Sequence, residues 1–451
     1  MTIEARLASR PDVERRAAMP AGFRAAGLAA GIKASGRPDV ALIVADRPVA
    51  AAAVFTPNAF AAAPVRLSRS NLAAGLPAGG GRFGTAAAVI STSGCANAAT
   101  GAAGDADQVK VGSIVAAEVG IAPSEVLHLS TGLIGTRLPL DRVAAGVNAV
   151  ALALEASDAG LLAAAESLRT TDSVVKVATT TVELPGPGGS TVSARVSGIA
   201  KGVGMIHPRM ATMLAVLLTD AAASSAALSA VLRPVAALTW DQLTVDGDTS
   251  TNDTVFLLAS GASGAEAVEP GSPAEAALRS AVEAVARDLA RQQAADGEGA
   301  TTLLTCAVVG AEDDASARAV ARAVVASSLV KAAVHGRDPN WGRIASAAGC
   351  ARLTDAAVLE AAGLAPIEAA ARAGSAARID PERLRISIAG QRMFDGAAGG
   401  PQVFDQAAVR AAMDALEVVL ELDLGLGEGV GEAFGCDLSE TYVTENSEYT
   451  T

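Results

Sequence analysis

The stretch Lys201–Asp220, KGVGMIHPRMATMLAVLLTD, decides how this chain is read. Gly202-Val203-Gly204 is pliant and His207-Pro208 is stiff. Met213–Leu218 then forms an unbroken apolar run with the length of a buried strand. At its mouth stands Thr212, a hydroxyl among small residues. It is either a nucleophile held at the end of a strand or an ordinary loop-to-strand junction, and the local pattern leaves both open.

The composition around that strand points the same way. The chain has 451 residues, enough for two or three domains. Its 51% hydrophobic content is inflated by alanine, and aromatics are only 3%. Small side chains must pack closely, which suits layered α/β architecture better than an aromatic-rich β-sandwich. The net charge of −13 argues against nucleic acid and against an anionic membrane surface, since both demand a basic face. An acidic metabolite would need local cations such as Lys201 or Arg209.

No run of about 18 apolar residues lacks a charge, so no membrane span is expected. The start, MTIEARLASRPDVERR, alternates charges where a signal peptide needs an apolar region. Cys95, Cys306, Cys350 and Cys436 are scattered singly, without metal or redox spacing. The expectation is a soluble, cytoplasmic protein with reduced thiols and no metal site.

Strand-like runs recur at Val40–Val44, Ala86–Ile90, Val126–Leu129, Thr179–Leu184, Ala194–Ile199, Thr302–Val309, Leu384–Ile388 and Val418–Leu426. Helices separate them. The clearest opens at Ser272-Pro273-Ala274-Glu275, a capping box with proline at the first helical position, and carries Leu278, Val282, Val285 and Leu289 along one face. Others are expected at Gln108–Val119, Pro139–Ala156, Ala315–Ser327 and Ala407–Leu416. The fold class that follows is α/β (α+β), a layered sandwich of mixed, partly antiparallel sheets and helices. A smaller C-terminal α/β region is expected from about residue 310.

Several polar clusters could carry chemistry. Ser130-Thr131-Gly132 follows a strand and could bring backbone N–H groups to a developing oxyanion, or simply end the strand as a turn. Thr170-Thr171-Asp172 offers two hydroxyls and a carboxylate, equally apt as a helix cap. Asp296-Gly297-Glu298-Gly299 sets a carboxylate between glycines, suited to an ammonium group or to a solvated turn. Asp246–Asp253 has the look of a calcium loop but lacks its twelfth-position glutamate. With only His128, His207 and His335, and no GxSxG elbow, a Ser-His-Asp hydrolase has little to build on. The polar tail Asn446–Thr451 would ordinarily be taken as frayed.

Together these clusters closely resemble the ornithine acetyltransferase (glutamate N-acetyltransferase) family of arginine biosynthesis. The similar stretches run in order along the chain: PAGFRAAG at Pro20–Gly27, SGCANA at Ser93–Ala98, STGLIG at Ser130–Gly135, KGVGM at Lys201–Met205, MATML at Met210–Leu214, Asp246–Asp253, Gly336–Ile344 and Glu445–Ser447.

The resemblance implies a proenzyme that cuts itself between Ala211 and Thr212, giving fragments 1–211 and 212–451 that stay together, with two copies of each (α2β2). It implies Thr212 as nucleophile, Thr131 and Gly132 as the oxyanion hole, and Thr170, Lys201, Thr212, Glu298, Asn446 and Thr451 as substrate-binding residues. The implied substrates are N-acetylornithine and glutamate. No cofactor is implied, and whether acetyl-CoA also donates to glutamate stays open. His207 and Arg209 stand where the family more often has alanine and asparagine, and Thr302 where a lysine is common; these departures bear on substrate preference. Two rivals stay open: an N-terminal-nucleophile amidohydrolase or aminopeptidase using the same Thr212, and a non-catalytic binding protein.

Overall fold

The computed structural model describes residues 11–207 and 213–447. Ala211, Thr212 and Thr451, together with Arg209, lie outside the described residues.

Eight strands make the first sheet: β1 (Phe23–Leu28), β2 (Val40–Phe55), β3 (Phe83–Cys95), β4 (Val126–Leu133), β5 (Lys176–Gly186), β6 (Ser190–Lys201), β7 (Leu214–Thr219) and β8 (Thr254–Ala259). Their order is β4-β3-β2-β8-β7-β6-β5, with β1 set on β2 off this path. The long β2 is the reason for the branch. Its first half, Val40–Val44, pairs with both β1 and β3; the register then breaks before Val49, and Ala50–Phe55 pair with β8. One strand thus serves two arms of the sheet.

Alternation along β2 sorts the layers. Leu42 and Val44 join Val111, Val115, Val143 and Val147 from helices Gly101–Val119 and Leu140–Leu152. Ala41, Ile43, Ala51 and Ala53 face an inner core with Leu214, Val216, Phe256 and Leu258. Ala52 and Val54 join Ala215, Leu217 and Leu257 beneath helices Ser225–Leu238 and Pro273–Ala295. The layers are therefore helix, sheet, sheet, helix. Strand β7 explains its own sequence: every residue from Leu214 to Thr219 is buried because both faces are covered. It runs parallel to β8 and antiparallel to β6. Helix Pro273–Ala295 is capped as its sequence predicts, Ser272 Oγ accepting the Glu275 N–H at 3.1 Å, and Leu278, Val282, Val285 and Leu289 are fully buried.

The second sheet contains β9 (Leu303–Ala311), β10 (Arg385–Ile388), β11 (Gln391–Asp395), β12 (Gly400–Pro401), β13 (Glu417–Asp423) and β14 (Gly429–Cys436), in the order β12-β11-β10-β13-β9-β14. It has its own core, built on Val320, Val324, Ile386, Leu420 and Leu422. It is tied to the sandwich where Thr244 N–H donates to Phe434 O (2.9 Å) and where Arg287 pairs with Glu432 (2.6 Å).

Two expectations change. Ser130-Thr131-Gly132 is no strand-ending turn, because β4 continues through it to Leu133, held by parallel pairing to β3. The helix expected over Pro139–Ala156 stops at Leu152, and a second helix, Asp158–Leu168, starts after a Ser157 cap that accepts the Gly160 N–H.

Candidate active site

Several parts of the chain converge on one cavity of about 300 Å³, among them the end of β4, the segment after helix Asp158–Leu168, the end of β6, the turn after helix Pro273–Ala295, and the last helix, Glu440–Ser447. Thr131, Gly132, Thr170, Lys201, Glu298 and Asn446 all line it. Met213, the residue after the expected nucleophile, lines it too, and its carbonyl accepts the Thr254 N–H at 2.8 Å. The polar tail is therefore ordered as far as Asn446 and Ser447, in a helix, contrary to its frayed look.

Gly132 takes φ +126°, which side-chain-bearing residues rarely adopt, and a Cβ there would lie 2.3 Å from the Gly94 carbonyl carbon. Gly94 and Gly132 pair across β3 and β4, where the register slips. Two glycines let these backbones approach more closely than any side chain would allow. Asn252, just before β8, pins the arrangement: its Nδ2 donates to Ala96 O (2.7 Å) and Ser130 O (2.8 Å).

Charges of both signs line the cavity. Lys201 is nearly buried and its Nζ donates to Thr131 Oγ1 at 3.2 Å. Burial pulls its ammonium below the usual lysine range, and Asp172 opposes that pull. Asp172 is itself fully buried. Burial works to raise its carboxyl, but Lys201, Lys176 and the Gly202 N–H outweigh it and hold the group well below the usual range. Glu298 lies flat against Gly204, whose missing side chain makes the room: a Cβ would sit 2.1 Å from Glu298 Oε2. Its carboxylate accepts from Thr171 Oγ1 (2.9 Å) and Asn446 Nδ2 (3.0 Å). A cation and an anion thus line one small cavity, together with the hydroxyl-bearing Thr131, Thr170 and Thr171.

Reading the residues alone does not single out Lys176, gives Thr171 only as a hydroxyl of the Thr170-Thr171-Asp172 cluster, and holds Asn252 only within the rejected calcium loop. Asp253 was visible only as part of a rejected calcium loop. It is buried at the cavity wall with Oδ2 unpartnered, and burial pushes its carboxyl well above the usual range. Other marked residues stand elsewhere. His207 lines a second cavity and meets Thr244 Oγ1 at 3.0 Å. His335 pairs with Asp437 at 2.8 Å, and Thr302 donates its N–H to the same carboxylate at 2.9 Å. Among the described residues, no group of His, Cys, Asp and Glu could hold a metal ion, and no helix is long and apolar enough to cross a membrane.

Comparison with known proteins gives this geometry a context. The chain is 44% identical over 431 residues to the arginine biosynthesis bifunctional protein ArgJ of Thermosynechococcus vestitus, covering 95% of this chain and 96% of the relative. It is 42% identical to the protein of the same name from Thermus thermophilus, covering 96% and 99%. Among solved structures, the ornithine acetyltransferase of Mycobacterium tuberculosis, complexed with ornithine, is 42% identical. It covers 44% of this chain and 98% of its own, with a TM-score of 0.37. The family model for ArgJ matches residues 24–451, and the chain belongs to the ArgJ family.

Proposed function

We propose that this ArgJ-family acyltransferase moves the acetyl group of N2-acetylornithine to glutamate through an acetyl ester on Thr212. One observation carries the reading. In N2-acetylornithine the acetylated nitrogen and the carboxylate share a carbon, so a cation holding the carboxylate must lie beside the oxyanion donors. Lys201 does, 3.2 Å from Thr131 Oγ1, while Glu298 faces the same cavity and suits the ammonium at the end of the ornithine side chain.

In this reading the precursor first cuts itself. Thr212 Oγ attacks the Ala211 carbonyl, the amide becomes an ester, and water releases threonine as a new N-terminus. The freed α-amino group, with an ordinary pKa of about 7.7–8.0, serves as base near neutrality. Thr212 Oγ then attacks the acetyl carbonyl, ornithine leaves, and the amine of glutamate takes the acetyl group in a second step of the same kind. Thr131 and Gly132 stabilise both tetrahedral oxyanions. Thr170, Asn446 and Thr451 complete the binding site. The relatives' name, bifunctional, supports acetyl-CoA as a second donor to glutamate.

Denaturing electrophoresis tests the cut: fragments 1–211 and 212–451 are expected, and an intact chain that still transferred acetyl groups would refute the mechanism. Incubating acetylornithine with and without glutamate separates transfer from hydrolysis, since a hydrolase consumes the donor equally in both. Glu298→Gln tests the charge assignment. It should raise KM for acetylornithine by about 10- to 100-fold, the loss expected for a hydrogen bond to a charged group, with a smaller effect on acetylglutamate. Equal losses for the two donors would remove the pairing.

A further inference from the structure

Behind the cavity wall four charges alternate in sign. Lys201 Nζ lies 3.9 Å from Asp172, Asp172 lies 2.7 Å from Lys176 Nζ, and Lys176 Nζ lies 2.6 Å from Asp296. Lys176 and the Asp172 side chain are fully buried, and Asp296 nearly so. A chain of buried charges is expensive to assemble, so its geometry matters more than its contribution to stability.

Asp172 is the hub. Its Oδ1 accepts the Gly202 N–H at 2.8 Å, next to Lys201, and its Oδ2 accepts the Thr170 N–H at 3.1 Å. At the far end Asp296 accepts from Ser173 and stands two residues before Glu298. Three walls of the cavity, carrying Thr170, Lys201 and Glu298, are therefore registered to one another through carboxylates that themselves stay out of it.

We propose that Asp172 is a positioning residue: it aims the Lys201 ammonium at Thr131 and, through Lys176 and Asp296, fixes the Glu298 turn at the matching distance. The inference rests on the acetyl-transfer reading above. Its chemical content is that Lys201 must be charged to hold the substrate carboxylate, in a place where burial disfavours charge. Asp172 supplies the opposite charge that keeps the proton on. The other titratable groups facing Lys201 are Lys176 and Lys33, whose charges repel it, and the carboxyls of Glu298 and Asp253, which attract it when ionised.

The test is the alkaline limb of kcat/KM for transfer from N-acetylornithine to glutamate, followed from pH 6 to 10 in wild type and Asp172→Asn. Removing the carboxylate lowers the Lys201 pKa, so the limb should move down by about one to three pH units, the range an opposite charge at this distance commands. The substrate's own titration is common to both enzymes and cancels in the comparison. A variant slower at every pH but with an unmoved limb would overturn the proposal, because that is what a merely structural role gives. Lys176→Gln is the second variant, for the case in which Asp172→Asn does not fold. It removes a repelling charge and leaves Asp172 to Lys201, so the limb should move up; a static or falling limb counts against the proposal. A wild type that transfers no acetyl removes the parent reading, whereas a transferring enzyme with unmoved limbs removes this inference alone.

Discussion

Thr212→Ala is expected to leave one uncut band of 451 residues on a denaturing gel and to lose acetyl transfer by on the order of 10⁴- to 10⁶-fold. The two losses share one cause. Alanine has no oxygen to attack the Ala211 carbonyl, so the ester that precedes cleavage never forms. Without cleavage there is no free α-amine to act as base, and without Oγ there is no atom to carry the acetyl group. Removing a nucleophile disables the groups that work with it, so the effect is far larger than that of any single hydrogen bond. Thr212→Ser is the control. It keeps the hydroxyl and should restore cutting. A Thr212→Ala chain that still transfers acetyl groups at more than about a hundredth of the wild-type rate would exclude the covalent route.

Gly132→Ala is the second large effect, and the backbone alone predicts it. The position holds φ +126°, and the new methyl would meet the Gly94 carbonyl carbon at 2.3 Å and the Cys95 nitrogen at 2.6 Å. Neither neighbour is a flexible side-chain tip, so β3 and β4 must part. Strained φ and overpacking together should cost about 2–5 kcal/mol of stability. The parting also moves the Thr131–Gly132 donors away from where an oxyanion would form, and losing one such donor lowers kcat by about 100- to 1,000-fold. Thermal denaturation reads the first effect and steady-state kinetics the second. Wild-type kcat in a folded Gly132→Ala protein would exclude Gly132 from the oxyanion site.

What could be read from the chain follows from how local each signal is. Strand β7 and helix Pro273–Ala295 were plain because an unbroken apolar run and a capping box are written in neighbouring residues. Strand β1, FRAAGL, and strand β14, GVGEAFGC, escaped because alanine and glycine carry almost no strand signal. Helix Ser225–Leu238 was masked by Pro234 in its interior. Strand β8 escaped because the polar Asp246–Asp253 before it drew the reading towards metal binding.

The site divides in the same way. Thr131, Gly132, Lys201 and Glu298 belong to compact motifs that a family resemblance can carry. The link from Lys176 to Asp296 spans 120 positions and has no local mark, so only the fold reveals it. The Thr170-Thr171-Asp172 cluster offers two hydroxyls and a carboxylate in sequence, and only the fold shows the carboxylate at the junction of Lys176, Gly202 and Thr170.

The order β2-β8-β7-β6 has a consequence of its own. The two strands that follow residue 212 are intercalated between two that precede it. A nick between Ala211 and Thr212 would therefore open no seam. To part, the fragments must strip the ladder from Ala50–Phe55 to β8 and the ladder from Val196–Lys201 to β7, which amounts to unfolding the sandwich. Cohesion would thus be independent of that peptide bond. A chain cut there would keep one body.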